Sequence, residues 1–336
     1  MLETIWFILW GVLWAVYFVL DGFDLGLGTL HPFLAKNEEE KHMVHAAMGP
    51  YWDGNEVWLI TAGGVTFAAF PTAYAVMFSS LYSPLMLILF SLIFRGVALE
   101  YRHHAESAAA KKAWDWALFL GSALPALLFG VAFANIFAGI PFDSQGIWRG
   151  SLLGLLNVYG ILGGLLFLAM FTTHGAIWLS LKTEGEIAKR AQKAASGLWV
   201  AWLVMAVIFL VATADFTNLW ANYLKTPILW LIPLAAVAAL LACRWFLAQG
   251  KLWMAWAASG LAIASCTWFG VAGLFPNLLP SSFDPAASLT AFNASSSQLT
   301  LTIMLVVAGI MVPLVILYQA WAYVLFKGKY DAGEGY

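Results

Sequence analysis

The sequence carries very little charge for its length. Charged residues occupy 10% of the 336 positions, whereas an ordinary soluble protein carries about 25%. This shortage excludes soluble enzymes and disordered scaffolds, because a soluble chain of this size needs more charge to cover its surface. The net charge is −2, which leaves no basic field to attract nucleic acid. We therefore expect a membrane protein without a nucleic-acid partner.

Cysteine is scarce as well. Cys243 and Cys266 lie inside apolar segments and form no C-x-x-C motif, so the sequence predicts neither a disulfide nor a thiolate metal site. The H-E-x-x-H pattern and the mixed Cys/His patterns of zinc sites are missing too. We expect no bound metal.

Long apolar runs make up most of the chain, which is 62% hydrophobic. A membrane-spanning helix needs about 20 mainly apolar residues, and barrel strands are much shorter and alternate in polarity. The fold class predicted is therefore an all-α polytopic membrane protein with nine transmembrane helices. The nine segments are residues 4–30, 54–72, 78–100, 115–140, 152–181, 195–213, 226–247, 253–275 and 299–326.

The basic residues fall unevenly on alternate loops. Thirteen Lys and Arg lie on one side of the membrane and two, Arg149 and Lys225, on the other. Because cytoplasmic loops carry the excess of Lys and Arg, we predict the N-terminus outside and the C-terminus inside. The first segment starts with Glu3 and has no basic stretch before it, so we expect a retained helix and not a signal peptide. Residues 1–336 form a single integral-membrane domain in this interpretation, with 327–336 as a short, loose cytoplasmic tail.

Ionisable side chains inside apolar segments are costly unless they are paired or hydrated. Here they cluster in the first three predicted helices, in the half nearer the cytoplasm: Asp21, Asp24, Asp53, Glu56, Arg95 and Glu100. Carboxylates at short range can share and pass protons. The cluster is therefore a candidate for a hydrated proton relay that opens to the cytoplasm.

Structural interpretations compete with this functional one. Asp53 and Glu56 have the spacing of a capping box at the start of the second predicted helix, which would not exclude a role in proton transfer. Arg95 suits a structural counter-ion that holds the first three helices together. Glycines near the aspartates are expected to permit close helix approach and fit no phosphate-binding pattern: Gly22, Gly26 and Gly28.

The histidines, too, have both functional and structural interpretations. His174 is the one histidine well inside a predicted span, where it could touch a quinone or lie near a haem, or simply pack. The others fall in or near predicted inner loops, where we expect solvated side chains: His31, His42, His45, His103 and His104. A b-type haem needs two axial ligands from helix interiors. We therefore expect this chain to ligate no haem by itself.

Four motifs make the sequence resemble subunit II of the cytochrome bd-type quinol oxidases. They are D-G-F-D-L-G at 21–26, Y-W-D-G-N-E-V-W-L at 51–59, F-R-G-V-A-L-E-Y-R at 94–102 and S-S-Q-L-T-L at 296–301. The resemblance extends over the whole length, including the number of helices and the loop spacing. The tryptophan-rich second motif is the most specific of the four.

The resemblance implies a bacterial terminal oxidase in the plasma membrane that oxidises quinol and reduces oxygen to water, which generates proton-motive force. It implies two four-helix bundles with a peripheral ninth helix, and a heterodimer with subunit I, which would bind the haem b and haem d groups. Asp53 matches an aspartate of the family's proton pathway, Asp24 one whose loss disturbs the haems, and Arg95 an arginine of the same cluster. Glu100 stands where some relatives have Asp, and Glu56 where others have Gln.

Two other functions stay open at this stage. Intramembrane acids beside glycines also suit an ion-coupled secondary transporter, although such sites lie near the midplane and arise from repeated halves. A purely structural subunit would tolerate neutral substitutions at the acids. Small single-helix subunits, lipid and quinone are further expected partners of the family interpretation.

Overall fold

The computed structural model describes residues 1–330, so the last part of the predicted tail, 331–336, lies outside the described residues. The chain is almost entirely helical. The helices are α1 (Leu2–Leu34), α2 (Glu38–Met48), α3 (Trp52–Ala69), α4 (Pro71–Ser80), α5 (Tyr82–Tyr101), α6 (Ala108–Ala138), α7 (Val158–Lys182), α8 (Gly185–Phe216), α9 (Trp220–Lys225), α10 (Leu231–Ala248), α11 (Leu252–Leu274) and α12 (Gln298–Leu325). Two short antiparallel strands, β1 (Asn277–Leu279) and β2 (Leu289–Thr290), lie between α11 and α12.

An all-α polytopic membrane fold is confirmed. Each of the nine predicted segments overlaps one long helix, and eight helices within residues 1–330 are long and apolar enough to cross a membrane. The remaining segment corresponds to α3, which has 18 residues and whose first turns contain Asp53, Asn55 and Glu56. A count of nine spans stays a prediction, as does the orientation.

Contacts between loops show which helix ends lie together. At one end, Arg190 pairs with Glu40 across 2.5 Å, Lys182 donates to the carbonyl of Phe326, and Lys329 lies 3.5 Å from Glu184. These contacts join loops that the charge count assigned to one side of the membrane. We call this end of the molecule the basic end.

The opposite end is joined in the same way. Trp6 Nε1 donates to the carbonyl of Leu301 over 3.0 Å, and Ser281 Oγ to that of Phe142 over 2.5 Å. The loop between α11 and α12 therefore packs on the loop after α6. Alternate loops thus meet at the same end of the bundle, as a chain that crosses a membrane repeatedly requires.

Helix α1 lies at the centre of the bundle and packs against α3, α6, α7 and α11. Around it, α6 packs against both α5 and α7, α7 also packs with α8, and α10 packs with α11. Helix α12 touches mainly α1 and α3, and Leu301 is its one buried residue. Such a helix sits at the periphery of the chain.

Glycine permits a close crossing between α1 and α7. A Cβ on Gly26 would lie 1.9 Å from the carbonyl oxygen of Phe171, and one on Gly175 would lie 2.6 Å from the amide nitrogen of Leu27. Small residues let helix backbones approach closely in membranes. The expectation that the glycines of the first motif serve helix packing is confirmed at Gly26.

Two local predictions were wrong. Residues 71–80, assigned to the end of one span, the loop after it and the start of the next span, form the separate helix α4. This helix starts at Pro71, where proline suits the first helical turn. The predicted tail is not loose throughout, because the amide of Tyr330 donates to the carbonyl of Lys182 over 2.7 Å. The first part of the tail is therefore attached to the end of α7.

Candidate functional site

A buried ion cluster joins the first three long helices. Arg95, on α5, has no solvent exposure, and its Nη1 donates to Asp21 Oδ1 of α1 over 2.7 Å. Its Nη2 lies 3.4 Å from Glu56 Oε2 of α3, whose side chain is 20% exposed. The planar guanidinium can face two carboxylates at once. The structure thus brings together three of the six charged residues singled out in the sequence.

Asp24, three residues after Asp21 on α1, belongs to a separate hydrogen-bond network with an amide of α3. Asn55 Nδ2 donates to Asp24 Oδ2 over 2.8 Å, and the Asn55 Oδ1 accepts from Gln319 Nε2 over 2.9 Å and from the Tyr323 hydroxyl over 3.1 Å. Gln319 Oε1 in turn accepts from Trp58 Nε1 over 2.7 Å. The network connects α1 and α3 to the peripheral helix α12.

Sequence reasoning missed the polar residues of this network. Asn55 stands in the second motif but received no role. Gln319 lies in the long apolar run of α12, where an isolated amide was a usable signal, since polar side chains in spans form hydrogen bonds between helices. Tyr323 carried no such signal, because aromatic residues are common near the end of any span.

Several oxygen atoms in the cluster are buried without a partner. Among residues 1–330, the Tyr17 hydroxyl, Asp21 Oδ2 and Asp24 Oδ1 make no hydrogen bond. A buried polar atom left unpaired costs about 1–3 kcal/mol, and such atoms in proteins are commonly satisfied by internal water. The unpaired oxygens therefore mark positions where water or an exchangeable proton fits.

Asp53 and Glu100 lie apart from the buried group, on the surface of the chain. Asp53 is one turn before Glu56 on α3, and Glu100 is one turn after Arg95 on α5. The capping-box interpretation of Asp53 is wrong, because α3 begins at Trp52 with Tyr51 as the N-cap, and no side chain caps it. Asp53 instead projects from the first turn of a helix that leads to Glu56.

His174 is fully buried and both of its ring nitrogens have partners. Nδ1 lies 2.6 Å from Ser259 Oγ, and Nε2 lies 3.1 Å from the carbonyl oxygen of Val19. The ring also stacks on Trp256 with an angle of 11° between the planes. A histidine in this setting packs three helices together and has no nitrogen free for an iron or a quinone.

A second ion cluster lies at the basic end. Asp115 of α6 accepts from Arg102 Nε over 2.5 Å and from Lys41 Nζ over 2.9 Å. Glu38 is 2.9 Å from both of these cations. The hydrogen bond from Lys41 lowers the pKa of Glu38 below its usual value, so the two acids and the two bases are charged together.

Two histidines in this region are less exposed than expected, with His31 buried and His45 partly exposed. His31 has no solvent exposure because α1 continues to Leu34, beyond its predicted end, and is covered by α2. His45 lies on α2, where burial lowers the pKa of its imidazole to about 3. Three histidines are exposed as expected: His42, His103 and His104.

Comparison with known proteins agrees with this architecture. The family model for cytochrome bd terminal oxidase subunit II matches residues 2–326. The chain is 38% identical to the cytochrome bd-I ubiquinol oxidase subunit 2 of Escherichia coli strain K12, with 98% of this chain and 95% of that protein covered. It is 35% identical to the cytochrome bd ubiquinol oxidase subunit 2 of Bacillus subtilis strain 168, with 99% and 98% covered.

A solved structure shares the fold. A chain of the bd oxidase from Geobacillus thermodenitrificans superposes with a TM-score of 0.76 at 16% identity, over 97% of this chain and 99% of that one. The sequence match over nearly the full length, together with the helical membrane architecture, leads to one conclusion. The chain belongs to the cytochrome bd terminal oxidase subunit II family.

Proposed function

We propose that this chain is subunit II of a bacterial quinol oxidase, an inner-membrane enzyme that oxidises quinol and reduces oxygen to water. Relatives that match over nearly their full length are named as ubiquinol oxidase subunits, which supports this proposal. Haem b and haem d belong to subunit I in this proposal, since His174 already bonds through both ring nitrogens. The chain's own contribution is to hold that partner and to carry protons.

The proposed proton route is supported by one observation. The acidic side chains become progressively less exposed to solvent from Asp53 inwards. Asp53 is exposed, Glu56 is 20% exposed, and Asp21 and Asp24 have no exposure. Asp53 and Glu56 are one turn apart on the same face of α3, about 5–6 Å between their Cβ atoms. Arg95 then links Glu56 to Asp21. The carboxylates thus form a series that leads from the basic end into the chain.

The chemistry of oxygen reduction explains the need for such a route. Each oxygen molecule reduced to water consumes four protons, and uptake from the cytoplasm with release from quinol outside separates charge. A carboxylate can accept a proton and donate it again. Arg95 compensates the charge of Asp21 and Glu56, while Asp21 Oδ2 and Asp24 Oδ1 have no hydrogen-bond partner among residues 1–330 and could each accept a proton. Glu100 provides a second exposed carboxylate at the same end.

Replacement of Asp53 by Asn tests the entry point. Asn keeps the size of the side chain but cannot transfer a proton at neutral pH. We expect Asp53→Asn to lower quinol-driven oxygen uptake per haem, with unchanged haem content. The free energy of unfolding should stay within about 0.5 kcal/mol for Asp53→Asn and for Asp53→Ala, because Asp53 caps no helix.

Glu39→Gln is the matched control, since Glu39 is an exposed acid at the same end but outside the series. It should respire like the wild type across the pH range. If Asp53→Asn also does so at every pH, protons enter elsewhere, either through Glu100 or through the partner chain. Oxygen uptake of Glu100→Gln separates these two routes.

The proposal also requires the basic end to face the cytoplasm. A cysteine in place of Glu184, which is 61% exposed, should react with an impermeant maleimide only in inside-out vesicles. Reaction in right-side-out vesicles would reverse the orientation and end the case for cytoplasmic proton uptake by Asp53. Wild-type vesicles give the background from the native cysteines.

A further inference from the structure

Three metal-ligating side chains from three helices converge at the basic end. His31 comes from α1, His45 from α2 and Asp115 from α6, and one ligand atom of each lies within 4.8 Å of the others. His31 Nε2 is 3.7 Å from Asp115 Oδ1, and the two imidazole rings are 5.4 Å apart. The residue numbers follow no metal-binding motif, so only the fold brings them together.

Three imidazole nitrogens of these two histidines make no hydrogen bond within residues 1–330: His31 Nδ1, His31 Nε2 and His45 Nε2. His31 has no solvent exposure, so its unpaired nitrogens are costly unless something binds them. Imidazole nitrogens are common ligands of divalent transition metals, so a bound cation would supply the missing partner.

The charges around the site can accommodate a cation. Asp115 pairs with Arg102 and Lys41, but both of these cations also contact Glu38 at 2.9 Å. Asp115 can therefore turn part of its charge towards a metal while Arg102 and Lys41 keep a counter-ion. The charges of the two acids and the two bases sum to zero, so we expect the site to bind a cation with moderate affinity.

We propose that His31, His45 and Asp115 form a binding site for a zinc-class divalent cation that ties α1, α2 and α6 together. Two imidazoles and one carboxylate favour zinc over magnesium or calcium, which prefer oxygen ligands. Ligand atoms of a tetrahedral zinc site are about 3.3 Å apart, so a rotation of the two rings and a small closure complete the set. A water molecule takes the fourth position.

A cavity at the basic end reaches His45, one of the three proposed ligands. It is also lined by His42, Glu100, Arg102 and His103, and three of these residues are exposed. The cavity therefore reaches the surface at the basic end. A metal ion can enter this cavity from the water without crossing the apolar part of the chain.

The test uses the purified oxidase complex, stripped with a chelator and dialysed against zinc chloride. We expect the wild type to bind one more zinc per complex than the double variant His31→Ala/His45→Ala, measured by mass spectrometry of the metal. His104→Ala is the matched control, because His104 is an exposed histidine of the same end outside the site. It should bind as much zinc as the wild type.

X-ray absorption at the zinc edge identifies the ligands in the wild type. The extra zinc should show two imidazole nitrogens and oxygen ligands, and zinc but not magnesium should raise the unfolding temperature. Equal zinc in the wild type and the double variant would overturn the proposal and leave water as the partner of the two histidines. If the double variant loses its haem spectrum, the wild-type absorption data decide, and a spectrum without two imidazoles overturns the site.

Discussion

Arg95 and Arg102 are seven residues apart, within α5 and directly after it, yet their surroundings differ sharply. Arg95 has no exposure and faces the carboxylates of Asp21 and Glu56. Arg102 lies at the edge of the water, and its side chain is 8% exposed. The first cluster has more acids than bases, while the second is balanced.

The difference separates two uses of charge in one membrane protein. In the balanced cluster, Asp115 and Glu38 each contact both Arg102 and Lys41, so each charge has two partners and the group resists the loss of one. In the buried cluster, one guanidinium serves several acids, and some oxygens stay unpaired. An excess of carboxylates with free oxygen atoms suits proton transfer, whereas a neutral network suits mechanical attachment.

Loss of Arg95 should have the largest effect. Arg95→Leu leaves Asp21 and Glu56 without their counter-ion inside the membrane, and breaking a buried pair from one side costs about 3–5 kcal/mol. We expect the variant complex to lose most of its haem and to unfold at lower denaturant concentration. Arg95→Lys should retain more of both, since an ammonium keeps the charge but lacks the planar fork. Equal haem content in both variants and the wild type would show that the buried pair is dispensable.

Loss of Arg102 should cost less, which tests the comparison directly. In Arg102→Leu, Asp115 keeps Lys41 at 2.9 Å, and the site is close to water. We expect a loss of about 1–2 kcal/mol in the free energy of unfolding with normal haem content and oxygen uptake. An effect as large as that of Arg95→Leu would contradict the distinction between the two clusters.

Loss of an exposed ion pair should have the smallest effect on stability. Lys189 and Glu186 are 2.7 Å apart on α8, and their side chains are more than 70% exposed. Exposed pairs contribute little because water and salt screen them. Lys189→Ala should therefore lower the midpoint of denaturant unfolding by less than Arg102→Leu does. A larger loss would indicate that this surface is covered in the assembled enzyme.

Much of the fold could be predicted because each membrane span is determined by its own stretch of sequence. A run of about 20 apolar residues has to form a helix in lipid, since each backbone polar group must be satisfied within the segment. All nine predicted segments accordingly overlap long helices. The prediction failed where local signals were weak, as at α4 and in the attached part of the tail, whose partner Lys182 is about 150 residues away in sequence.

The candidate site was only partly accessible from sequence. Charged residues in apolar runs are easy to find, and the six found here lie on the three helices that meet at Arg95. Their pairing was not visible, because Arg95 lies 74 residues from Asp21 and no spacing rule connects them. Gln319 contacts Asn55 across 264 residues, a contact that depends on where α12 packs.

By itself, the sequence determined that this protein is a bundle of membrane helices with an acid-rich cluster in its first third. The hydropathy of a segment, and the energetic cost of placing a charge inside it, depend on that segment alone. Both can therefore be judged from the local sequence. The tertiary structure alone decided which acids are buried with Arg95, which stay at the surface, and that His31, His45 and Asp115 meet. Those outcomes depend on how helices distant in sequence pack side by side, and close packing is set by the shape of all the side chains together.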